Sequence, residues 1–177
     1  MKKIIVTGHS SGLGKAIFDY FKTDPDNNVI GFSRANGFNI TSAEKRTEIV
    51  NASADADIFV NNAYNFFDDS QTFMLQELYA SWAGQNKTII NISTIATITA
   101  NPTHYAVTKR RLDHFCIQNT FNLPQIINLK PGWIMVDRVK QEIGDKNHMT
   151  TDQVIEVMEY CLKSPIKFTS LTFNIPE

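Results

Sequence analysis

The N-terminal segment joins a strand, a glycine turn and a helix, and this feature constrains the fold more than any other in the chain. Residues 2–7 form the apolar run of a buried strand, and residues 15–21 carry apolar side chains at helical spacing. Between them, Gly8 would allow a tight turn, Gly12 the approach of a phosphate, and Gly14 close packing of helix on strand. Backbone N–H groups at a helix N-terminus attract anions, so the segment predicts a pyrophosphate site; a merely flexible loop is the alternative.

Length and charge exclude several classes of protein. A chain of 177 residues suits one domain, and 42% hydrophobic with 20% charged residues is ordinary for a soluble globular protein. The net charge of -1 gives no long-range attraction to nucleic acid or to an anionic membrane. The basic run of Lys109, Arg110 and Arg111 is interpreted as the solvated side of a helix. We therefore expect a single domain over residues 1–177 that binds neither nucleic acid nor membranes.

The two cysteines are consistent with a reducing environment. Cys116 and Cys161 are far apart and in no metal-ligand spacing, which favours buried free thiols and gives no reason to expect a metal site. No stretch reaches the roughly 18 apolar residues of a membrane span. The apolar run after Lys2 and Lys3 is too short for a signal sequence. A cytoplasmic location is consistent with these features.

A second segment, residues 88–118, carries side chains suited to proton transfer. Its β-branched start, at residues 88–93, predicts a strand, Asn101-Pro102 breaks the chain, and Thr103 could cap a helix over residues 104–118. Tyr105 and Lys109 are four residues apart and would share one face of that helix. Alone, such a pair is weak evidence, because the spacing is common on surface helices.

Apolar runs and turn clusters predict the other elements of the chain. Short strands alternate with helices, which predicts a doubly wound α/β domain with a parallel sheet of six to seven strands between helical layers. The strands are expected at 2–7, 29–33, 57–60, 88–93, 125–129 and 170–175, and the helices at 15–21, 43–51, 71–83, 104–118 and 151–162.

Five motifs together resemble one family. In chain order they are Thr7-Gly-x-x-x-Gly-x-Gly14, Asn61-Asn-Ala63, Asn91-Ile-Ser-Thr94, Tyr105-x-x-x-Lys109 and Pro131-Gly132. Their order and their places at strand ends and helix starts resemble the short-chain dehydrogenase/reductase family over nearly the whole chain. The resemblance implies a Rossmann-like, three-layer α/β/α fold. It also implies an oxidoreductase that moves a hydride reversibly between a nicotinamide cofactor and a small-molecule carbonyl or alcohol.

The resemblance also implies catalytic roles. Tyr105 would be the acid in reduction and the base in oxidation, with its phenol pKa drawn down from about 10 by a nearby ammonium. Lys109 would supply that charge and hold the ribose hydroxyls of the nicotinamide half. A hydroxyl would orient the substrate carbonyl; Thr94 matches the family position, and Ser93 is the fallback.

The cofactor prediction depends on the end of the second strand. An arginine there suits the 2′-phosphate of NADP(H), whereas a carboxylate would suit the ribose of NAD(H). This chain has Ser33-Arg34 and no acid, so NADP(H) is the preferred cofactor and NAD(H) the second option. The alternative is that Arg34 is an ordinary surface arginine with no role in binding. The full set of cofactor-binding residues is expected to be Gly8, Ser10, Ser11, Gly12, Leu13, Gly14, Ser33, Arg34, Asn39, Ile40, Asn62, Ala63, Tyr105, Lys109, Pro131, Gly132 and Ile134.

The chain departs from the family pattern in several places. The crossover after the second strand is so short that the family's third strand should be rudimentary. Tyr64 stands where the family has glycine, and Val136 where it often has threonine. The helix at 71–83 contains no asparagine for the family's proton relay. That region builds the family's subunit interface, so a homo-oligomer is compatible with the sequence but not established by it.

The sequence leaves open which segment covers the substrate and whether the protein is an oxidoreductase. Trp133 and the loop to Met149 are the candidates for a lid over the substrate. The departures leave open a nucleotide-binding regulator without catalysis. An epimerase or dehydratase acting on a nucleotide sugar shares the Tyr-x-x-x-Lys chemistry, but the chain is short for the C-terminal substrate region that such enzymes carry.

Overall fold

Short apolar runs build a parallel sheet, and amphipathic helices connect its strands. The computed structural model describes residues 1–98, 103–136 and 148–175. The predicted chain break at 101–102 and most of the predicted lid, residues 137–147, lie outside them. The elements are β1 (Lys2–Thr7), α1 (Gly12–Lys22), β2 (Asn27–Phe32), α2 (Ala43–Ala52), β3 (Ile58–Asn61), α3 (Ser70–Ser81), β4 (Thr88–Ile92), α4 (His104–Gln118), β5 (Gln125–Pro131), α5 (Thr151–Lys163) and β6 (Ser170–Phe173), with 3-10 turns at Arg34–Asn36 and Ile95–Ile98.

The sheet has six strands in the order β2-β1-β3-β4-β5-β6, and every neighbouring pair is parallel. The chain moves outward from β1 to β2 and then returns to pair β3 on the other side of β1. Strand order therefore reverses between β1 and β3. In open α/β sheets, ligands bind at such a switch point, beyond the carboxyl ends of the strands.

Both faces of the sheet are buried, because successive strand residues point to opposite sides. On one face, α1 and α5 cover residues such as Ile4, Val60 and Ile90. On the other, α3 and α4 cover residues such as Ile5 and Phe59. The predicted three-layer α/β/α arrangement is confirmed.

Side-chain caps fix where the helices begin. Thr103 accepts a hydrogen bond from the backbone N–H of Ala106 at 3.2 Å, so the predicted start of α4 is confirmed. Ser42 caps α2 in the same way, through the N–H of Lys45. Each such cap satisfies one of the N–H groups that a helix start leaves without a partner.

The shortened crossover carries no strand. Residues 33–57 contain a 3-10 turn, Arg34–Asn36, and helix α2, and the chain then enters β3 directly. The prediction of a rudimentary third strand is therefore confirmed in its extreme form. As a result β2 is the edge of the sheet, and the turn at its carboxyl end faces the switch point.

Candidate active site

Two cavities lie side by side along the carboxyl edge of the sheet. The first, here called the glycine-turn cavity, has a volume of about 500 Å³ and lies above β1 and β2. The second, the tyrosine cavity, has a volume of about 700 Å³ and lies above β4 and β5. Both are lined by Leu13, Asn62 and Tyr64, so they form one groove across the switch point.

The predicted site residues converge on this groove. The glycine-turn cavity is lined by Gly8, Ser10, Ser11, Leu13, Gly14, Ser33, Arg34, Asn39, Ile40, Asn62 and Ala63. The tyrosine cavity is lined by Gly12, Ser93, Thr94, Tyr105, Lys109, Pro131, Gly132 and Ile134. Sequence motifs up to 126 residues apart therefore meet in one place, although binding by each residue stays a prediction.

The glycine turn is shaped by close backbone approach. Gly8 has a φ of 73°, a backbone conformation that residues with a side chain rarely adopt. A Cβ on Gly14 would lie 2.2 Å from the carbonyl oxygen of Gly8. Ser11, the N-cap of α1, makes no capping bond with its side chain, so the first N–H groups of the helix face the cavity without that competitor. Such a cradle fits a pyrophosphate.

Thr7 ties the glycine turn to the neighbouring strand end. Its hydroxyl donates to the carbonyl of Val60 at 3.0 Å. The same oxygen accepts from the backbone N–H groups of Asn62 and Ala63, at 3.0 and 3.1 Å. These bonds fix the loop after β3 against the end of β1, where the two halves of the groove meet.

The outer end of the groove is polar and carries a positive charge. Arg34 is exposed at the carboxyl end of β2, beside the buried Ser33. The described lining residues of the glycine-turn cavity include no acidic side chain. Ile40, which also lines this cavity, is held by Arg46, whose guanidinium donates to the carbonyl of Ile40 at 2.9 Å and to Glu77 at 2.8 Å. This arrangement favours a phosphate over a neutral ribose at the Arg34 end.

Tyr105 and Lys109 lie together in the tyrosine cavity, on the first two turns of α4. The Lys109 Nζ lies 5.7 Å from the centroid of the Tyr105 ring and 4.7 Å from that of Tyr64. Lys109 is only 3% exposed. Burial lowers its pKa from 10.5 to about 7, although Asp113 and Cys116 oppose the shift.

The burial of Lys109 corrects one interpretation. The basic run 109–111 was expected on the solvated side of the helix, and this is right for Arg110 and Arg111, which are exposed, but wrong for Lys109. A helix turns by about 100° per residue, so neighbours in sequence need not share a face. The predicted buried, free state of Cys116 and Cys161 is confirmed.

Two hydroxyls are available beside Tyr105. Thr94 accepts a hydrogen bond from the N–H of Ala96 at 3.2 Å, and as an acceptor there it keeps its own proton for donation. The Ser93 Oγ is buried and has no hydrogen-bond partner among the described residues. Both side chains line the tyrosine cavity, so the order of preference, Thr94 before Ser93, stays a prediction.

Tyr64 occupies the space that a glycine would leave open. Its hydroxyl lies 3.0 Å from the Thr108 Oγ1, and its ring packs edge-to-face on Tyr105 with 5.1 Å between centroids. Phe66 packs on both rings, at 5.1 and 5.7 Å. The three aromatic side chains form one wall of the tyrosine cavity.

The opposite wall comes from the segment after β5. Trp133 is 58% exposed and lines the cavity, as does Val136. Backbone hydrogen bonds join Met135 to Met149 at 2.7 Å and Met149 to Trp133 at 2.9 Å. The predicted lid is thus fastened at both of its ends beside the cavity.

Sequence reasoning missed a buried amide network beneath the site. The Lys109 ammonium donates a hydrogen bond to Gln71 Oε1 at 2.6 Å and another to the backbone carbonyl of Ile92 at 2.8 Å. Helix α3 contains no asparagine, as the sequence shows, but its Gln71 contacts Lys109 directly. Its signal in the sequence was only a polar residue at the start of an apolar helix.

Three strand asparagines complete that network, and we call them the asparagine ladder: Asn61, Asn91 and Asn128. They are paired in register across β3, β4 and β5 and are at most 1% exposed. Asn61 donates to Asn91 at 2.9 Å, and Asn91 donates to Asn128 at 2.7 Å. Asn128 donates to Asp113 at 2.9 Å, and Asp113 is paired with Lys130 at 2.8 Å. An asparagine inside each of three apolar runs was the available signal.

The described residues contain neither a metal-binding cluster nor a membrane-spanning helix. No group of three or more His, Cys, Asp or Glu side chains is placed to hold a metal ion within residues 1–98, 103–136 and 148–175. In the same part of the chain, no helix combines the length and apolar character needed to cross a bilayer.

Solved structures match almost the whole chain, whereas comparisons with protein-family models and with curated proteins give no match. A 4-hydroxyisoleucine dehydrogenase complexed with NADH superposes with a TM-score of 0.76 and 18% identity, over 97% of this chain and 96% of that chain. The closed form of a serine dehydrogenase complexed with NADP+ gives a TM-score of 0.77 and 15% identity, over 98% and 94%. A short-chain dehydrogenase from Burkholderia cenocepacia J2315 in complex with NADP gives 0.79 and 14%, over 97% and 88%.

This chain therefore has the fold of short-chain dehydrogenases. The likeness confirms the predicted fold class and confirms the family resemblance at the level of the fold. At these identities it carries nothing about activity, which is argued from the site itself.

Proposed function

We propose that this chain is a single-domain oxidoreductase of the short-chain dehydrogenase/reductase type that uses NADP(H), with NAD(H) as the weaker cofactor. It moves a hydride reversibly between the nicotinamide and the carbonyl or alcohol carbon of a small molecule. Tyr105 is its acid/base group, assisted by Lys109 and by the hydroxyl of Thr94 or, failing that, Ser93.

One observation carries the proposal: a phenol, a buried ammonium and a hydroxyl line one cavity that continues into a glycine-lined cradle. Tyr105, Lys109 and Thr94 line the tyrosine cavity. The cradle beyond Asn62 has the tight turn at Gly8 and the close packing at Gly14 that phosphate approach requires. Arg34 at the far end supplies a charge suited to a 2′-phosphate. The residues present therefore fit an extended dinucleotide.

The chain's own residues supply the proton chemistry. In reduction, Tyr105 gives its phenolic proton to the carbonyl oxygen as the carbon–oxygen double bond becomes single, and in oxidation it takes the proton back from the alcohol. The positive charge of the Lys109 ammonium favours the phenolate form of Tyr105 over the phenol. Thr94 donates a hydrogen bond that orients the carbonyl. The bound nicotinamide supplies or accepts the hydride.

The two cavities of the groove bind different parts of the ligands: the glycine-turn cavity binds phosphates, and the tyrosine cavity binds the reacting groups. The N–H groups at the start of α1 hold the pyrophosphate and the side chain of Arg34 holds the 2′-phosphate, whose negative charges do not depend on the redox state of the nicotinamide. The aromatic wall of Tyr64, Phe66 and Tyr105, faced by Trp133 on the opposite wall, excludes water from the reacting carbon. The apolar character of that wall favours a small carbonyl compound without charge next to its reacting group.

The test combines cofactor binding with turnover. Calorimetric titration of the purified protein with NADPH and with NADH should give binding of both, with NADPH the tighter. Oxidation of NADPH should then be followed against a panel of aliphatic and aromatic aldehydes and ketones. In Tyr105→Phe, affinity for NADPH should change little, while kcat should fall by roughly 10²- to 10⁴-fold, the usual share of a positioned acid or base.

A matched variant separates this effect from a general loss of stability. Tyr160 is 61% exposed on α5 and does not line the tyrosine cavity, so Tyr160→Phe should keep the wild-type kcat. Retention of full turnover by Tyr105→Phe would remove the acid/base assignment. Absence of binding by both cofactors would refute the proposed function as a whole.

A non-catalytic nucleotide-binding protein is the second candidate, and Tyr64 is the observation that favours it. Its ring packs on Tyr105 and under Lys109, in space that a glycine would leave to the ligand. This candidate predicts tight NADPH binding without turnover. Tyr64→Gly would distinguish a ring that blocks the site from one that shapes it, because only in the first case should the substitution create activity.

A further inference from the structure

Gln71 lies between the candidate active site and the buried network below it. It is the second residue of α3, it is 2% exposed, and its side chain reaches the gap between β3 and β4. Its Oε1 accepts from the Lys109 Nζ at 2.6 Å. No carboxylate contacts that Nζ among the described residues, so Gln71 and the Ile92 carbonyl are the acceptors the structure gives it.

The hydrogen bonds of Gln71 determine which end of its amide faces the lysine. Its Nε2 donates to the backbone carbonyls of Asn61 and Ile92, at 2.8 and 3.0 Å. A carbonyl can only accept, so the amide nitrogen must stay on that side. The oxygen is thereby left to face Lys109. A flipped amide would place two acceptors against Gln71 Oε1 and a donor against an ammonium.

The asparagine ladder holds the backbone of Gln71 in turn. Asn61 Nδ2 donates both to the main-chain carbonyl of Gln71, at 3.1 Å, and to Asn91. The direction of the ladder is set at its far end, because the Asp113 carboxylate, paired with Lys130, can only accept. Asn128 must therefore donate to Asp113 and accept from Asn91, and Asn91 must accept from Asn61. Each amide orients the next.

We propose that Gln71 is a positioning residue that holds the Lys109 ammonium against the Ile92 carbonyl, and that the asparagine ladder, oriented by Asp113, keeps Gln71 in place. Two of the three N–H bonds of Lys109 are thus fixed below the cavity floor. The rings of Tyr64 and Tyr105 lie 4.7 and 5.7 Å from the same Nζ, so the charge is held beside the residues where the proposed function needs it. The inference deepens the proposed function and rests on it for its catalytic consequence.

Among residues 1–98, 103–136 and 148–175, few other charged or aromatic groups face Lys109. Asp113 and Cys116 lie on the same helix and act on Lys109 through space. Tyr64, from the loop after β3, and Tyr105 present their rings. Lys130, on β5, is paired with Asp113. Substitution of Gln71 leaves all of these side chains unchanged.

The experiment measures the titration of Lys109 directly, in protein with isotopically labelled lysine side chains, by NMR. The Lys109 resonance is assigned by its absence from Lys109→Met. In Gln71→Met the lost acceptor should raise the acid dissociation constant of Lys109 roughly tenfold, the value of about one hydrogen bond. In Gln71→Glu a carboxylate faces the ammonium, so the constant should fall instead.

Two substitutions of Gln71 are used so that the test can still be decided if one variant does not fold. If Gln71→Met does not fold, the direction of change in Gln71→Glu decides alone. Trp82→Phe is the structural control: it removes the bond from Trp82 Nε1 to the Ser53 carbonyl, 3.2 Å long, at the other end of α3. Its Lys109 titration should match the wild type. Unchanged titration of Lys109 in the folded Gln71 variants would overturn the proposal.

The catalytic consequence has its own readout. If Gln71 positions the ammonium, Gln71→Met should lower kcat with little change in KM. The pKa of the limb assigned to Tyr105 in the pH–kcat profile should move upward. The NMR titration needs neither cofactor nor substrate. A protein that binds no NADPH therefore refutes the proposed function while still deciding whether Gln71 holds Lys109.

Discussion

Replacement of the central asparagine of the ladder should be costly, and the structure gives the size of the cost. Asn91→Leu removes the acceptor for one Asn61 N–H and the donor to the Asn128 Oδ1. Both atoms stay buried, since Asn61 and Asn128 are at most 1% exposed. Each stranded group costs about 1–3 kcal/mol, so the free energy of unfolding should fall by about 2–6 kcal/mol. That is a large fraction of the ~5–15 kcal/mol of a typical domain.

A double-mutant cycle makes the prediction specific to a connected ladder. Asn128→Leu alone strands one N–H of the Asn91 amide, whose Nδ2 keeps its contact with Cys116 Sγ at 3.7 Å, and removes one donor to Asp113. In the double variant Asn91→Leu/Asn128→Leu, the bond between these two residues is missing on both sides, so neither partner of it is left stranded. Two stranded groups, the Asn128 Oδ1 and one Asn91 N–H, are thus avoided, so the loss of stability in the double variant should be smaller than the sum of the single losses by about 2–6 kcal/mol.

Urea unfolding followed by circular dichroism measures all four corners of the cycle. Asn51→Leu, the same change on the exposed side of α2, is the control and should shift the free energy of unfolding by less than about 0.5 kcal/mol. Additivity of the two ladder substitutions within about 0.5 kcal/mol would refute the reasoning, because independent sites behave in that way.

Two further predictions concern charge. Arg34→Ala should weaken NADPH about tenfold or more while leaving NADH nearly unchanged, as measured by calorimetry; equal weakening of both would remove the phosphate assignment. Lys109 has a folded-state pKa of about 7 against an ordinary 10.5. Between these values the unfolded chain binds more protons, so stability should rise with pH across this window, by up to about 1.4 kcal/mol per unit. Lys109→Met should abolish this part of the slope in urea unfolding at several pH values, and an unchanged slope would contradict it.

The sheet could be predicted because its signals are local. Strands that are buried on both faces need continuous apolar runs, and the runs at β1, β3, β4 and β5 are bounded by polar residues. The glycine turn is equally local, since Gly8 and Gly14 meet constraints set within one strand-turn-helix unit. Element boundaries moved by only a few residues, and helix α4 begins and ends where its cap and pattern predict.

The site was predictable as a set of positions but not as a set of contacts. Motifs at strand ends converge because parallel strands share one carboxyl edge. Which side chain touches Lys109 depends on tertiary packing between α3, α4 and β4. The family pattern pointed to an asparagine on α3, and its absence was read as a missing part. Gln71, with a longer side chain near the helix start, reaches the lysine from a position that no motif marks.

The asparagine ladder also explains why the chain keeps amides where apolar side chains would pack at less cost. The ladder lies on the α3–α4 face of the sheet. Its central member, Asn91, is one residue before Ile92, whose carbonyl accepts hydrogen bonds from both Gln71 and Lys109. A shift of one strand by one residue would carry its asparagine to the apolar α1–α5 face and strand its neighbours. The ladder therefore specifies the register of β3, β4 and β5 at the level from which the site is built. A stability cost paid there fixes the height of the Ile92 carbonyl, and with it the place of the ammonium beside Tyr105.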